Sequence, residues 1–233
     1  MTVRIGINGF GRTGRALLRA AGRSDLDLEV VAVNDLAPPA ALARLLSRDS
    51  VFGRFGLGVT VDGDDMIVGD RRVKMLAEPE VKALPWKSIG VDVVVESTGR
   101  FTAREKAAGH LDAGAPRVIV SAPSKGADAT FVMGVNDDIF DPEKHLVVSN
   151  ASCTTNCLVP MVKVLDEAFG IERGFMTTVH AYTGDQLLVD GVHKDARRAA
   201  SCRIGRNAYH IVGGRSNRPC VAEVELCPQE ASS

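Results

Sequence analysis

The chain has 233 residues, 45% of them hydrophobic, and its 28 Lys and Arg against 29 Asp and Glu leave a formal net charge of -1. That length and balance fit one large or two ordinary soluble globular domains. They argue against nucleic acid or a membrane surface as the main partner, while a phosphorylated small molecule needs only a few local Lys or Arg.

Val3 to Asn8 predicts a short apolar strand, Gly9 to Gly14 a glycine turn, Arg15 to Ala21 a helix, and Leu28 to Asn34 a second apolar strand ending in Asp35. These make one βαβ unit. Pro38 and Pro39 precede an Ala/Leu-rich helical stretch, and Val59 to Leu76 reads as short strands around the turn Asp62-Gly63-Asp64. Val91 to Thr98, Val-rich and interrupted by Asp92 and Glu96, has the composition of a parallel strand buried on both faces. Ala103 to Ala113 is helical in pattern, Arg117 to Ser121 extended, and Leu146 to Ser149 another strand. Strands separated by helical stretches imply an α/β, doubly wound sheet with right-handed crossovers, so residues 1–150 predict a Rossmann domain. Past Asn150, Cys153 to Phe169 is helical and Gly174 to Thr183 a longer alternating strand, which opens a second domain. From Ala199 the pattern dissolves, and no replacement strands are expected there.

Met1 to Phe10 has no apolar run of secretory length, and no later stretch approaches about 18 uncharged apolar residues. A cytoplasmic protein is expected. The five cysteines, at 153, 157, 202, 220 and 227, lack the spacing of a disulfide framework and predict reduced thiols.

Gly9-Phe10-Gly11-Arg12-Thr13-Gly14 fits G-x-G-x-x-G between a strand and a helix, with Asp35 closing the next strand. Glycines let the backbone turn tightly and approach a pyrophosphate, and the helix N-terminus meets its charge. A carboxylate at Asp35 accepts bonds from ribose hydroxyls and repels a 2′-phosphate, which favours NAD over NADP.

Ser149-Asn150-Ala151-Ser152-Cys153-Thr154-Thr155-Asn156-Cys157-Leu158 places Cys153 at a helix start, where the partial positive charge favours thiolate over thiol. Cys153 is therefore a candidate nucleophile, and Cys157, one turn on, reads as a small core residue. No second Cys pair stands in the patterned region to complete a zinc site, so no metal is expected. His180 shares a strand face with Thr178 and Tyr182 and is a candidate general base. His110, His145, His193 and His210 read as surface or packing residues.

Ala151-Ser152-Cys153-Thr154-Thr155-Asn156-Cys157-Leu158 resembles the active-site signature of glyceraldehyde-3-phosphate dehydrogenases. Ile7-Asn8-Gly9-Phe10-Gly11-Arg12, Val33-Asn34-Asp35-Leu36, Glu96-Ser97-Thr98-Gly99-Arg100-Phe101, Val120-Ser121-Ala122-Pro123 and Thr177-Thr178-Val179-His180-Ala181-Tyr182-Thr183 support it. The resemblance covers residues 3 to 198. It implies that the Cys153 thiolate attacks an aldehyde, that the hemithioacetal gives hydride to NAD while His180 takes the proton, and that inorganic phosphate releases an acyl phosphate from the thioester. It further implies Ser152, Thr154, Thr183 and Arg198 as ligands of the sugar phosphate and of inorganic phosphate, and Ser121 with the Arg12-Thr13 backbone as cofactor contacts. The family is homotetrameric.

Thr13, Pro79 and Val192 depart from the family's usual Ile, Arg and Pro. After Arg198 the family's Ser/Thr-Thr-Gly loop, second phosphate-binding arginine, remaining catalytic strands and terminal helix are not found. Residues 151–198 are thus expected as an incomplete α+β catalytic domain. Residues 199–233 are expected as an unrelated, poorly ordered tail from a shifted reading frame, with little activity in this chain. Erythrose-4-phosphate dehydrogenase and a non-catalytic NAD-binding remnant are the alternatives.

Overall fold

The computed structural model describes residues 2–181 and 204–212, with side chains through Met176. In chain order these form β1 (Val3–Asn8), α1 (Arg12–Ala21), β2 (Leu28–Asn34), α2 (Pro39–Ser47), β3 (Arg48–Asp49), β4 (Gly53–Arg54), β5 (Val59–Asp62), β6 (Asp65–Val68) and β7 (Arg71–Leu76). There follow α3 (Trp86–Ile89), β8 (Val93–Glu96), α4 (Arg104–Ala107), α5 (Gly109–Asp112), β9 (Val118–Val120), β10 (Ala129–Thr130), β11 (Val147–Ser149), α6 (Cys153–Phe169), β12 (Arg173–Ala181) and β13 (Ile204–Val212). The chain divides into two compact units, Met1–Asn156 and Cys157–Ser233.

In the first unit nine strands form one sheet in the order β10-β11-β9-β8-β1-β2-β7-β6-β5. Pairings from β10 through to β7 are parallel, and only β6 and β5 are antiparallel. From β1 the chain builds outward to β2 and β7, then returns to add β8, β9 and β11 on the other side, as the alternation of strands and helices predicts. The order reverses between β1 and β8. In such sheets the crevice beyond the carboxyl ends at that reversal is where ligands bind.

Alternation of side chains places the core on both faces. Ile5 and Ile7 of β1 join Phe10, Leu18, Leu42 and Leu46 in one apolar cluster, bringing α1 and α2 onto one face. Val31, Ala32, Val91 and Val94 pack with Trp86 on another. Gly6 makes that second packing possible, since a Cβ there would lie 2.9 Å from the Trp86 ring. A third cluster, Ala107, Val118, Val120 and Val147, fastens α4 to β9 and β11.

In the second unit β12 pairs antiparallel with β13, Arg173 opposite Val212 and Ala181 opposite Ile204. This corrects the expectation that nothing after Ala199 forms a strand. A ladder of backbone hydrogen bonds makes little demand on sequence, and the edge of β12 is a template for any extended segment within reach. Helix α6 buries none of its residues, and Phe169 and Phe175 are 83% and 72% exposed.

Candidate active site

The turn after β1 is shaped by what cannot fit in it. Gly9 has φ +91°, and a Cβ there would lie 2.7 Å from the Thr98 nitrogen; a Cβ on Gly14 would lie 2.3 Å from the Gly9 carbonyl oxygen. Both positions exclude any side chain. Gly11 differs, because a Cβ on it would meet nothing within 4 Å. The backbone at Gly11 thus borders open space. Gly11 is also the N-cap of α1, with no side-chain cap and no acidic residue in the first turn, so the helix's positive end is left uncompensated. Arg12 and Thr13 are exposed beside it, and Arg12 reaches Asp49 at 3.5 Å. Arg15 holds the turn from behind, Nη1 donating to the Phe10 carbonyl at 2.8 Å; burial lowers its pKa, helped by Arg12.

Asp35 stands at the end of β2, half-buried, and its carboxylate accepts the N–H of Phe10 at 2.8 Å and of Ala37 at 2.9 Å. It therefore fastens the glycine turn, a function the motif alone does not disclose, and its remaining lone pairs leave it acceptor capacity. Ser121, half-buried just past β9, donates its backbone N–H to the Glu96 carbonyl at 3.0 Å.

Beneath this edge lies a buried polar network that sequence reasoning missed. Asn8 (2% exposed) donates from Nδ2 to Glu96 Oε2 at 2.6 Å and accepts from Asn34 Nδ2 at 2.8 Å. Asn34 also exchanges two 2.8 Å bonds with the backbone of Glu78. His110, fully buried, lies 3.0 Å from Glu96 through Nε2 and 3.0 Å from the Trp86 indole nitrogen through Nδ1. The only available signal was the placing of Asn8, Asn34 and Glu96 at strand ends.

The segment after β11 carries the nucleophile. Ser149 is buried and donates Oγ to the Ala122 carbonyl at 2.8 Å. Ala151, also buried, has φ +58°, a left-handed conformation that costs an L-residue about 1–2 kcal/mol. That reversal delivers Ser152 to the N-cap of α6, where its Oγ accepts the Thr155 N–H at 2.9 Å and pairs with Thr155 Oγ1 at 2.7 Å. Asn156 braces the same entry, donating Nδ2 to the carbonyls of Asn150 and Ser152 at 2.8 and 2.9 Å. Cys153 is consequently the first residue of α6, exposed, with half-buried Thr154 next to it.

Cys157 is exposed as well, which corrects the expectation of a core cysteine. The helix that carries it turns no residue into a buried core, so small size and low polarity do not place Cys157 inside.

His180 lies on β12, its backbone registered opposite Gly205. Thr183 and Arg198 fall outside the described residues, as do His193, Val192 and residues 213–233. Among the described residues no helix is long and apolar enough to cross a membrane.

Residues 3–104 match the NAD binding domain of glyceraldehyde 3-phosphate dehydrogenase, and residues 152–205 match that enzyme's C-terminal domain. The chain belongs to the glyceraldehyde-3-phosphate dehydrogenase family. It is 58% identical over 201 residues to glyceraldehyde-3-phosphate dehydrogenase of Kitasatospora aureofaciens, covering 86% of this chain and 60% of that one. Identity to the Geobacillus stearothermophilus enzyme is 58% over 199 residues, 85% of this chain and 59% of the relative. For the Mycobacterium avium enzyme it is 56% over 210 residues, 88% and 62%. The chain thus spans about three-fifths of the length of these relatives. Membership in the glyceraldehyde-3-phosphate dehydrogenase family accounts for both the doubly wound first unit and the Cys153 segment.

Proposed function

We propose that the crevice at Gly9–Gly14 holds NAD and that Cys153 and His180 serve the phosphorylating oxidation of glyceraldehyde 3-phosphate through a thioester. The observation that carries this reading is the exposed Cys153 at the first position of a helix whose N-cap, Ser152, is already satisfied within the chain. The helix terminus favours the thiolate, which attacks the aldehyde carbon. His180 takes the proton from the resulting hydroxyl. Bound NAD supplies the hydride acceptor.

On the cofactor side, open space over Gly11 and the uncompensated start of α1 suit a pyrophosphate, with Arg12, Thr13 and Gly14 in the same turn. Asp35 suits ribose hydroxyls, and Ser121 borders the same sheet edge. Thr154, Thr183 and Arg198, with any remaining capacity of Ser152, are assigned to the phosphates of the sugar and of the attacking inorganic phosphate. A cytoplasmic, glycolytic role, a homotetramer, and no nucleic-acid or membrane partner belong to the same reading and rest on family membership.

The match to the C-terminal domain covers residues 152–205, which hold Cys153 and His180; the resemblance puts the family's second phosphate-binding arginine after Arg198, where no counterpart is read in this sequence. These 233 residues by themselves are therefore expected to turn over slowly, since positioning and electrostatic stabilisation supply much of a rate. The test follows NADH formation with glyceraldehyde 3-phosphate and erythrose 4-phosphate, with and without inorganic phosphate, for the unmodified chain and Cys153→Ser. Turnover that requires Cys153, phosphate and the three-carbon sugar supports the reading. Preference for erythrose 4-phosphate, or NAD binding with no Cys153-dependent turnover, replaces it with one of the two alternatives.

A further inference from the structure

We propose that Glu96 is a positioning residue for the glycine turn, and that the Trp86–His110 pair fixes its carboxylate from behind. The ligand arm of this inference rests on the reading of that turn as an NAD site.

Glu96 is 1% exposed, and among the described residues no Lys or Arg pairs with it. Its charge is met by hydrogen bonds: Oε2 accepts from Asn8 Nδ2 at 2.6 Å and from His110, and Oε1 accepts the Thr98 N–H at 2.8 Å and the Thr98 hydroxyl. Four donors occupy the four lone-pair sites of a carboxylate. The His110 tautomer follows from its other neighbour. An indole N–H can only donate, so Nδ1 carries the lone pair that receives Trp86, and the proton sits on Nε2, aimed at Glu96. Trp86 thereby determines that the His110 nitrogen facing the carboxylate is the protonated one.

What Glu96 holds is the segment against which the turn is built. The Thr98 backbone nitrogen and Cα are the atoms a Cβ on Gly9 would strike, at 2.7 and 2.8 Å. Ser97 Oγ donates to the Gly9 carbonyl at 2.7 Å and the Asn8 carbonyl at 3.1 Å. Moving Thr98 moves the wall behind Gly9. A buried carboxylate without a cationic partner is a costly way to fill a core; three of its four bonds go to Asn8 and Thr98, which frame the turn, and the fourth to His110.

The experiment uses the whole chain with Glu96→Gln, His110→Phe, His110→Gln and Thr98→Val. Amide hydrogen exchange is measured without ligand in a peptide containing Gly9 to Thr13 and in control peptides of α2 and β7. Expected is about tenfold or greater faster exchange of the turn in Glu96→Gln and His110→Phe, since a single buried donor left unpaired has that effect, with the control peptides unchanged. His110→Gln, which can accept from the indole and donate to Glu96, should recover much of the protection. Trp86, the chain's single tryptophan, reports the indole bond by its emission, which should shift in His110→Phe more than in His110→Gln. Calorimetric titration with NAD should weaken by about tenfold in Glu96→Gln. Where a variant fails to fold, Thr98→Val, which removes one donor at nearly constant shape, decides. Turn exchange unchanged in folded variants, or raised equally in the controls, overturns the proposal. Faster turn exchange in a chain that never binds NAD leaves the positioning role standing and overturns the cofactor reading instead.

Discussion

The carboxylate of Asp35 accepts the backbone N–H of Phe10, 25 residues earlier in the chain, at 2.8 Å. The group that suits a ribose is thus also a clamp on the turn that suits the pyrophosphate. Asp35→Ala should therefore do two things: slacken the preference for NAD over NADP, and lower stability by about 1–3 kcal/mol because the N–H groups of Phe10 and Ala37 lose their acceptor. Asp35→Asn, which retains one acceptor oxygen, should lie between. Urea midpoints with parallel NAD and NADP titrations check this; an unchanged midpoint in Asp35→Ala removes the clamp.

The three glycines of the motif should separate by phenotype. Gly9→Ala and Gly14→Ala place a methyl group against backbone at 2.7 and 2.3 Å and should prevent or severely weaken folding. Gly11→Ala meets open space and should cost only about 0.5–1 kcal/mol, the preference for Gly over Ala at an N-cap, while weakening NAD. Circular dichroism melts and NAD titrations on the three variants give the comparison. Equal stability losses would show that steric exclusion does not distinguish them.

Asp128 supplies a pH dependence. Burial pushes its pKa up, but Arg104 at 2.7 Å and the backbone N–H groups of Val147 and Leu146 outweigh that, leaving it below the ordinary 3.8. A carboxyl with a depressed folded value contributes stability above its unfolded value and loses it as pH falls through the folded one. Asp128→Asn should accordingly be less stable than the unmodified chain at neutral pH, the gap closing as pH drops below about 4. Urea unfolding across acidic pH measures it, and a constant gap would contradict the assignment.

Because Cys153 and Cys157 are both exposed, access does not choose between them. The helix terminus does. Brief iodoacetamide treatment at neutral pH, read by mass spectrometry, should label Cys153 before Cys157 among the thiols of residues 1–198. Preferential labelling of Cys157 would mean that the start of α6 does not activate its first residue.

Ala151 occupies a left-handed conformation immediately before the N-cap of α6. Ala151→Gly should be tolerated or stabilise by up to about 1 kcal/mol, whereas Ala151→Val should destabilise by more than that, since β-branching makes φ +58° a severe outlier. Thermal melts of both variants decide, and a strongly destabilised Ala151→Gly would show that the buried methyl group outweighs the strain.

Local pattern alone determined the strands Val3–Asn8, Leu28–Asn34 and Val59–Leu76, the doubly wound order they imply, the glycine turn, and Cys153 at a helix start. Each depends on neighbours in sequence: a run of β-branched residues, a turn that only glycine allows, a Ser three residues before Thr155. Tertiary structure decided what depends on distant partners. The same Glu96 that interrupts an apolar strand gains two of its four hydrogen bonds, from Asn8 and His110, only when β1 and α5 converge on it. His110, which by sequence reads as a surface or packing residue, is oriented by Trp86, 24 residues away. Cys157 looked like core because cysteine is small and weakly polar, yet whether a residue is buried depends on what packs over its helix. The strand Ile204–Val212 has no clear period and is defined instead by the backbone of β12, a partner that no local pattern can reveal.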